Sequence, residues 1–371
     1  MTSDPTTAIR PRSWSPAANG PAKSIELSEL RAPQETAAIL AGLEGHVVGQ
    51  RRALAELSLL LSMHALMPAG RRSPNAIVVG PTGVGKSHSL AVASGLMGLP
   101  FVATDATSLV PSGIVGEQVE DVLEALVDAA DALLSASDGR RRRDDDLELA
   151  QRGILLIDEF DKLAAPDDGT SWGRVEKRVI QRRLLKLAEG ARLRVGVKHH
   201  VDDRRERFID TAGVLLLVSG AFSDLPTLGP WSLARVRRDG RRITSADIIA
   251  AGFIPELVGR LPILIAFEAL SARELVGIIE HDGVSPLVVW RHYLDLALDA
   301  DLELDEAAKW VVAERAAALG LGARGLQQVL FPVLASRAGE LARSDTRQVL
   351  TLRAADFIPE SAATPMALPV Q

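Results

Sequence analysis

The segment GPTGVGKS at residues 80–87 constrains the fold more than any other part of the chain. It follows the apolar run AIVV, which predicts a buried strand, and it precedes a segment with helical spacing that starts at Lys86. Glycines let such a loop fold tightly, so that its N–H groups converge on phosphate oxygens at the positive end of the next helix. The strand, loop and helix therefore predict a phosphate-binding loop.

The whole loop is expected to contact a nucleotide through Gly80, Pro81, Thr82, Gly83, Val84, Gly85, Lys86 and Ser87. The Lys86 ammonium is expected to reach the β- and γ-phosphates and to take part in catalysis, and the Ser87 hydroxyl is expected to bind Mg²⁺. The predicted cofactors are ATP and Mg²⁺. The alternative interpretation, a chance glycine-rich turn that binds nothing, does not explain the strand before the loop and the helix after it.

A second motif, GILLIDEF at 153–160, supplies two carboxylates at the end of an apolar run. The carboxyl ends of parallel strands are where open α/β sheets bind ligands. Asp158 is expected to join the Mg²⁺ shell, and Glu159 is expected to be the general base that polarises the attacking water. Two acids at a strand end mean little alone, but together with the phosphate loop they predict ATP hydrolysis.

The distribution of apolar runs predicts an α/β fold with a parallel sheet covered by helices on both faces. Further strand candidates are GVLLLVSG at 213–220 and PILIAFE at 262–268, and beyond about residue 270 the spacing becomes helical apart from a late strand, QVLTLRA. We expect a flexible tail over 1–33, a large ATPase domain over 34–268, a small helical lid domain over 269–356 and a flexible tail over 357–371.

Composition excludes several classes of protein. The chain has no cysteine, which excludes disulfides and cysteine-built zinc sites. A net charge of −6 gives no overall attraction to nucleic acid. The strongest apolar run, GVLLLV, is too short to span a bilayer, and the N-terminus lacks the apolar segment of a signal peptide. We expect a cytoplasmic protein without a membrane partner.

Over residues 45–355 the chain resembles the ClpX-type AAA+ ATPases, and less closely the HslU type. Seven blocks in order carry the resemblance: HVVGQRRAL at 46–54, FVATDATSLVPSGIVGEQVEDVLEAL at 101–126, AQRGILLIDEFDKLA at 150–164, IQRRLLKLAEG at 180–190, LLLVSGAF at 215–222, GFIPELVGRLP at 252–262 and GARGL at 322–326.

The resemblance implies roles for five further residues. Val47 and Val48 match the segment that closes over adenine, and Ser219 matches the first sensor position. Arg324 matches the arginine of the small domain that senses the nucleotide, and Arg260 matches the finger that reaches ATP bound by a neighbouring subunit. The family implies a homohexameric ring in which hydrolysis unfolds protein substrates by threading them through a central pore.

The pore loop departs from the family, which has an aromatic residue after its first glycine. Here the loop reads Gly113, Ile114, Val115 and Gly116. Ile114 keeps apolar bulk but lacks a flat ring, which is compatible either with weaker or more specialised gripping or with a tolerated substitution. Lys198, His199 and His200 occupy the place of the basic loop at the pore entrance, where they can select substrates by charge.

Docking to the ClpP peptidase is doubtful on sequence grounds. The family loop carries an Ile-Gly-Phe tripeptide, whereas residues 222–254 contain no such tripeptide, and the nearest sequence, TLGP at 227–230, lacks the terminal apolar anchor. The cysteine-built zinc domain of the family is also missing, and the tail stands in its place.

Two other functional classes compete with an unfoldase. A nucleic-acid motor or loader would need an exposed basic surface, for which RVRRDGRR at 235–242 is the candidate, although a charge block is usually a solvated loop. A nucleotide-switched scaffold with little turnover would not need Glu159 and Arg260.

Overall fold

The computed structural model describes residues 32–68, 70–111, 117–136, 144–165, 172–196, 206–222, 243–341 and 347–357. The expected tail over 1–33 lies almost wholly outside these ranges, as does most of the tail expected over 357–371. Along the described residues, no helix is long and apolar enough to cross a bilayer.

A five-stranded parallel sheet forms the centre of the fold. Its strands are β1 (Ala76–Val79), β2 (Phe101–Asp105), β3 (Ile154–Asp158), β6 (Leu215–Gly220) and β7 (Ile263–Ala266). They lie in the order β2-β3-β6-β1-β7, and all four neighbouring pairs are parallel. This confirms the predicted fold class and the four predicted strands. β2 was not predicted, because it lies at the sheet edge and only one of its residues is buried.

Helices cover both faces of this sheet. They are α1 (Ala32–Glu44), α2 (Arg51–Ala65), α3 (Lys86–Met97), α4 (Val119–Ser135), α5 (Asp145–Ala150), α6 (Trp172–Ala188), α7 (Ser245–Ala250) and α8 (Pro255–Gly259). Alternate strand residues face opposite cores: Leu156 and Leu217 pack with α1, α2 and α3, while Leu155 and Leu216 pack with α4, α6 and α8. Because both faces are buried, β3 and β6 are apolar almost throughout.

The region after β7 is mostly helical, as predicted. It contains α9 (Ala272–Glu280), α10 (Leu287–Leu298), α11 (Glu306–Leu319) and α12 (Ala323–Leu341), together with a parallel pair made by β8 (Ala300–Leu304) and β9 (Gln348–Leu352). β9 is the predicted late strand, whereas β8 was missed because its acidic, alternating sequence runs directly into α11. The predicted domain boundary falls in the segment between β7 and α9, and the division into two domains stays a prediction.

An antiparallel hairpin of β4 (Arg192–Val195) and β5 (Arg207–Asp210) extends from the end of α6. Residues 197–205, which connect the two strands in the sequence and include the predicted basic loop at 198–200, lie outside the described residues.

A buried histidine links the segments that precede three strands of the sheet, β1, β3 and β6. His64 on α2 is 4% exposed, and its Nε2–H donates to the Arg152 carbonyl oxygen at 2.8 Å. Its Nδ1 lies 2.8 Å from the Ser73 hydroxyl, which also lies 2.9 Å from the Gly213 carbonyl oxygen. Burial lowers the pKa of His64 from 6.5 to about 4. The imidazole is therefore neutral at pH 7.

We expect this histidine to make the fold sensitive to acid. Its folded-state pKa is depressed, so its stabilising effect is fully present above pH 6.5 and is lost as the pH falls towards 4. Between pH 7.5 and 5 the loss should be about 2 kcal/mol. Urea unfolding of wild type and His64→Gln at both pH values measures this loss. The difference in free energy of unfolding between the two proteins should be smaller at pH 5 than at pH 7.5. An equal difference at both pH values would contradict the prediction.

Candidate nucleotide site

The phosphate loop connects β1 to α3 as the sequence predicts. β1 ends at Val79, and α3 begins at Lys86 directly after Gly85, whose φ of 98° lies in the left-handed region that glycine tolerates. The first N–H groups of this 12-residue helix have no partners within the helix and point into the loop. The loop is thus an anion-binding element at the carboxyl end of the sheet.

The Lys86 ammonium is held against the loop. It is 8% exposed, and its Nζ donates to the carbonyl oxygens of Gly80 at 2.7 Å and Pro81 at 2.8 Å. Burial lowers the pKa of Lys86, and the nearby carboxylates of Asp158 and Asp161 partly offset this effect. The cation is therefore anchored at the mouth of the loop, where phosphate oxygens would offer it stronger partners than carbonyl groups.

Asp158 sits at the centre of a hydrogen-bond network at the end of β3. Its Oδ2 accepts from the Ser87 hydroxyl at 2.6 Å, and its Oδ1 accepts from the Ser219 hydroxyl at 2.5 Å and from the Glu159 N–H at 2.9 Å. Burial raises the pKa of Asp158, but the hydrogen bonds from Ser219, Ser87 and Glu159 outweigh it and hold the pKa below its usual value. The carboxylate is thus ionised.

Glu159 adopts an unusual backbone conformation immediately after this strand. Its φ is 51°, in the left-handed region that non-glycine residues rarely occupy. β3 ends at Asp158, and this reversal turns the next side chain out of the sheet so that Glu159 lines the same cavity as Lys86. Strain of this kind, at a cost of about 1–3 kcal/mol, persists where the surrounding structure enforces it, as at many active sites.

These groups share one cavity of about 660 Å³. Its polar part is formed by residues 82–88, Asp158, Glu159, Asp161 and Arg324, and its apolar part by Val47, Val48, Leu270, Ile278 and Val284. The cavity thus brings together predicted residues from the loop before α2, the phosphate loop, the end of β3 and α12. Ser219 lies behind Asp158 and does not line it, and Gly80 and Pro81 face Lys86 instead.

The loop before α2 is held against the segment between β7 and α9 and against the end of α9. The Gln50 side chain donates to the Glu268 carbonyl oxygen at 2.7 Å and accepts from the Glu268 N–H at 2.9 Å. The Nε2–H of His281, at the end of α9, donates to the Gly45 carbonyl oxygen at 3.0 Å. These contacts hold Val47 and Val48 in the wall of the cavity that Ile278 of α9 also lines.

Several residues of the cavity wall were not predicted. Asp161 is 8% exposed, lines the cavity and accepts a hydrogen bond from the Phe222 N–H at 3.3 Å. Its place in the acidic sequence DEFD at 158–161, next to Asp158 and Glu159, could have identified it as a residue of the site. Leu270, Ile278, Val284 and His88 had no such signal, because an apolar residue that lines a ligand looks like a core residue in the sequence, and His88 is a lone residue after the loop motif.

Arg260 stands apart from the cavity. It lies at the end of α8, its side chain is 44% exposed, and its Nη2 pairs with Oε1 of Glu189 at 3.1 Å. An exposed guanidinium outside its own subunit's cavity is compatible with the predicted action on a neighbour's nucleotide, which stays a prediction.

The pore residues Gly113, Ile114, Val115 and Gly116 lie outside the described residues. The residues that flank them contact each other. Leu109 and Glu117 form a parallel bridge, and the Val110 N–H donates to the Glu117 carbonyl oxygen at 2.9 Å. A carboxylate oxygen of Glu117 also accepts from the hydroxyls of Thr104 and Ser108. The described residues on either side of the pore residues therefore lie close together, shortly after the end of β2.

Comparison with known families decides the assignment that this geometry suggests. Residues 71–264 match the AAA domain family (Cdc48 subfamily). The chain belongs to the AAA ATPases. It is therefore an ATP-binding enzyme that hydrolyses ATP, as the cavity with its phosphate loop and paired acids indicates.

Two relatives place this AAA ATPase near ClpX, as the sequence blocks predicted. It is 29% identical over 327 residues to the ATP-dependent Clp protease ATP-binding subunit ClpX 2 of Wolinella succinogenes, covering 83% of this chain and 77% of that protein. It is 30% identical over 321 residues to the ClpX subunit of Borrelia duttonii, covering 79% and 71%.

Proposed function

We propose that this AAA ATPase is a cytoplasmic, ClpX-like motor that uses ATP hydrolysis to unfold or remodel proteins. One observation carries the proposal: the phosphate loop, the acids of β3 and Arg324 from the C-terminal helices meet in one cavity, in a chain that aligns with ClpX subunits over about four fifths of its length. A cavity closed by groups from two parts of the chain can convert nucleotide state into relative motion of those parts.

The cavity suits ATP in one orientation. Adenine fits the apolar end between Val47, Val48 and Ile278, and the phosphates fit the N–H groups of the phosphate loop. Lys86 would exchange its two carbonyl partners for phosphate oxygens, and Arg324 would approach the phosphates from α12.

The donor set also fits Mg²⁺. The Ser87 hydroxyl and the ionised Asp158 carboxylate already lie within hydrogen-bond distance of each other, and oxygen ligands of this type suit the ion. Among the described residues, no group of three or more His, Asp or Glu side chains is placed to hold a metal by itself, so phosphate oxygens and water would complete the shell. Bound there, Mg²⁺ would neutralise charge on the phosphate oxygens.

Glu159 is the residue we assign to activate water. Its side chain enters the cavity next to Asp158, whose low pKa leaves it ionised and unsuited to hold a proton. A carboxylate in this place can accept the proton of a water that attacks the γ-phosphate. The Asp158–Ser219 hydrogen bond links this chemistry to the end of β6, which is the sensor role we propose for Ser219.

We further propose a homohexameric ring, because Arg260 lies outside its own subunit's cavity and would complete the site of a neighbouring subunit. Protein substrates would pass through its pore and contact Ile114. The measurement that separates an unfoldase from a nucleic-acid motor is the ATPase rate with added unfolded protein or added DNA. We expect unfolded protein to raise the rate and DNA to leave it unchanged at all salt concentrations. Stimulation by DNA that weakens steeply with salt would favour the nucleic-acid alternative.

We predict that this motor does not drive ClpP. The relatives are named as subunits of a Clp protease, but the segment over 222–254, of which residues 223–242 lie outside the described residues, contains no Ile-Gly-Phe tripeptide to dock with. In a hexamer, six weak anchors bind the peptidase tightly only when they act together. A ring in which every subunit lacks its anchor therefore loses the multivalent contact. The assay is ATP-dependent degradation of a tagged fluorescent protein with ClpP from the same source. Degradation that survives replacing residues 226–230 with Gly-Ser would contradict the prediction.

A further inference from the structure

The phosphate loop touches the C-terminal helices backbone to backbone at two glycines. Gly83 and Gly322 have φ values of 73° and 56°, and the Ala323 N–H donates to the Gly83 carbonyl oxygen at 2.9 Å. A Cβ added to Gly322 would lie 2.4 Å from that oxygen and 2.9 Å from the Thr82 carbonyl oxygen. A Cβ added to Gly83 would lie 2.2 Å from the Leu321 carbonyl oxygen. Only glycine fits on either side of this contact.

The contact fixes where α12 starts. Ala323 is the first residue of α12, and Arg324 follows it and lines the nucleotide cavity. Arg324 is close enough to Lys86 for its charge to contribute to lowering the lysine pKa. The helix start is thus bonded to the phosphate loop itself, one residue before Arg324.

We propose that Gly322 is a positioning residue: its close contact with Gly83 places Arg324 in the cavity and couples the phosphate loop to the C-terminal helices. The proposal rests on the proposed contact between Arg324 and nucleotide. A backbone contact has no rotamers with which to absorb movement, so we expect a shift of Gly83 on phosphate binding to move the start of α12. The coupling therefore does not require the nucleotide to bridge the two parts.

The chain offers a matched control for the test. Gly320, two residues earlier, has a φ of 68° but nothing within 4 Å of its Cβ position. Gly320→Ala and Gly322→Ala thus introduce a similar backbone strain, and only the second collides with the phosphate loop. We expect Gly322→Ala to lower kcat/KM for ATP by about 100-fold, the effect of misplacing a catalytic group by about 1 Å, and Gly320→Ala to leave kcat/KM near wild type. Equal effects of the two changes would overturn the proposal.

A double-variant cycle separates positioning from general damage. If Gly322 acts through Arg324, Gly322→Ala should cost little further activity in an Arg324→Ala background. Full additivity would show that Gly322 acts elsewhere and would overturn the proposal. If Arg324→Ala alone leaves ATP hydrolysis unchanged, the role proposed for Arg324 fails. The effect of Gly322→Ala relative to Gly320→Ala then still shows whether the contact between Gly322 and Gly83 affects ATP hydrolysis.

A measurement on the unaltered protein keeps the test valid if Gly322→Ala does not fold. The Ala323 amide bonds to the phosphate loop, whereas the Gly320 amide bonds within its own helix end, to the Ala317 carbonyl oxygen at 3.0 Å. We expect a non-hydrolysable ATP analogue to change hydrogen exchange at Ala323 and not at Gly320. Unchanged exchange at Ala323 under saturating analogue would overturn the coupling.

Discussion

Replacing Glu159 with Gln should leave ATP binding intact and lower steady-state hydrolysis by about 10²–10⁴-fold, the usual contribution of a general base. Glutamine keeps the size of the side chain and its backbone position but cannot accept the proton from water. Asp158, Ser87 and Lys86 remain in place, so the phosphate site is unchanged. Phosphate release and binding of a fluorescent ATP analogue measure the two properties separately.

Lys86→Ala is the comparison for this result. It removes the cation at the mouth of the phosphate loop, so it should lose nucleotide affinity, whereas Glu159→Gln should not. Equal rates of ATP hydrolysis in wild type and Glu159→Gln would show that another group activates the water. Loss of binding in Glu159→Gln would show that Glu159 holds the nucleotide.

Arg260→Ala should bind ATP normally and hydrolyse it about 10³-fold more slowly, the low end of the effect of removing an arginine finger. The guanidinium lies outside its own cavity, so its loss should not disturb its own subunit's phosphate loop. Glu189→Gln is a sharp control, because it removes the ion-pair partner of Arg260 and keeps the guanidinium. If Arg260 only stabilises α8 through this pair, both variants should lose the same activity.

Mixing two inactive variants tests action between subunits. Arg260→Ala subunits retain the phosphate loop, and Lys86→Ala subunits retain the finger. A mixed ring therefore contains interfaces where an intact finger meets an intact loop, and hydrolysis should reappear on mixing. Activity that stays at the sum of the two separate variants would contradict a finger in trans, as would full hydrolysis by a monomer at nanomolar concentration.

The sequence predicted those parts of the site that depend on local chemistry. Gly85, Lys86 and Ser87 form a loop whose chemistry is contained in eight consecutive residues, and Asp158 and Glu159 end a strand whose burial is visible as an apolar run. The hydrogen bond that brings Ser219 to Asp158 joins residues 61 positions apart. The resemblance to ClpX, rather than any local pattern, pointed to Ser219.

The parts that sequence reasoning missed depend on tertiary contact. β2 pairs with β3 through its backbone, and an edge strand needs few apolar residues to do so. Ile278 is one of several apolar residues on α9, and only its place in the cavity wall, which depends on the folded chain, distinguishes it from the others. In the sequence, Gly322 is part of the motif around Arg324, whereas its contact with Gly83 exists only in the folded chain.

The most direct test of the central claim is whether this chain unfolds a protein at the expense of ATP. The measurement is the fluorescence of a folded fluorescent protein that carries an unstructured peptide tag, in the presence of a trap that prevents refolding. We predict that fluorescence falls with wild-type protein and ATP, and that it does not fall without ATP or with Glu159→Gln. Rapid ATP hydrolysis with unchanged fluorescence, over tags of varied sequence and charge, would contradict a protein-unfolding motor.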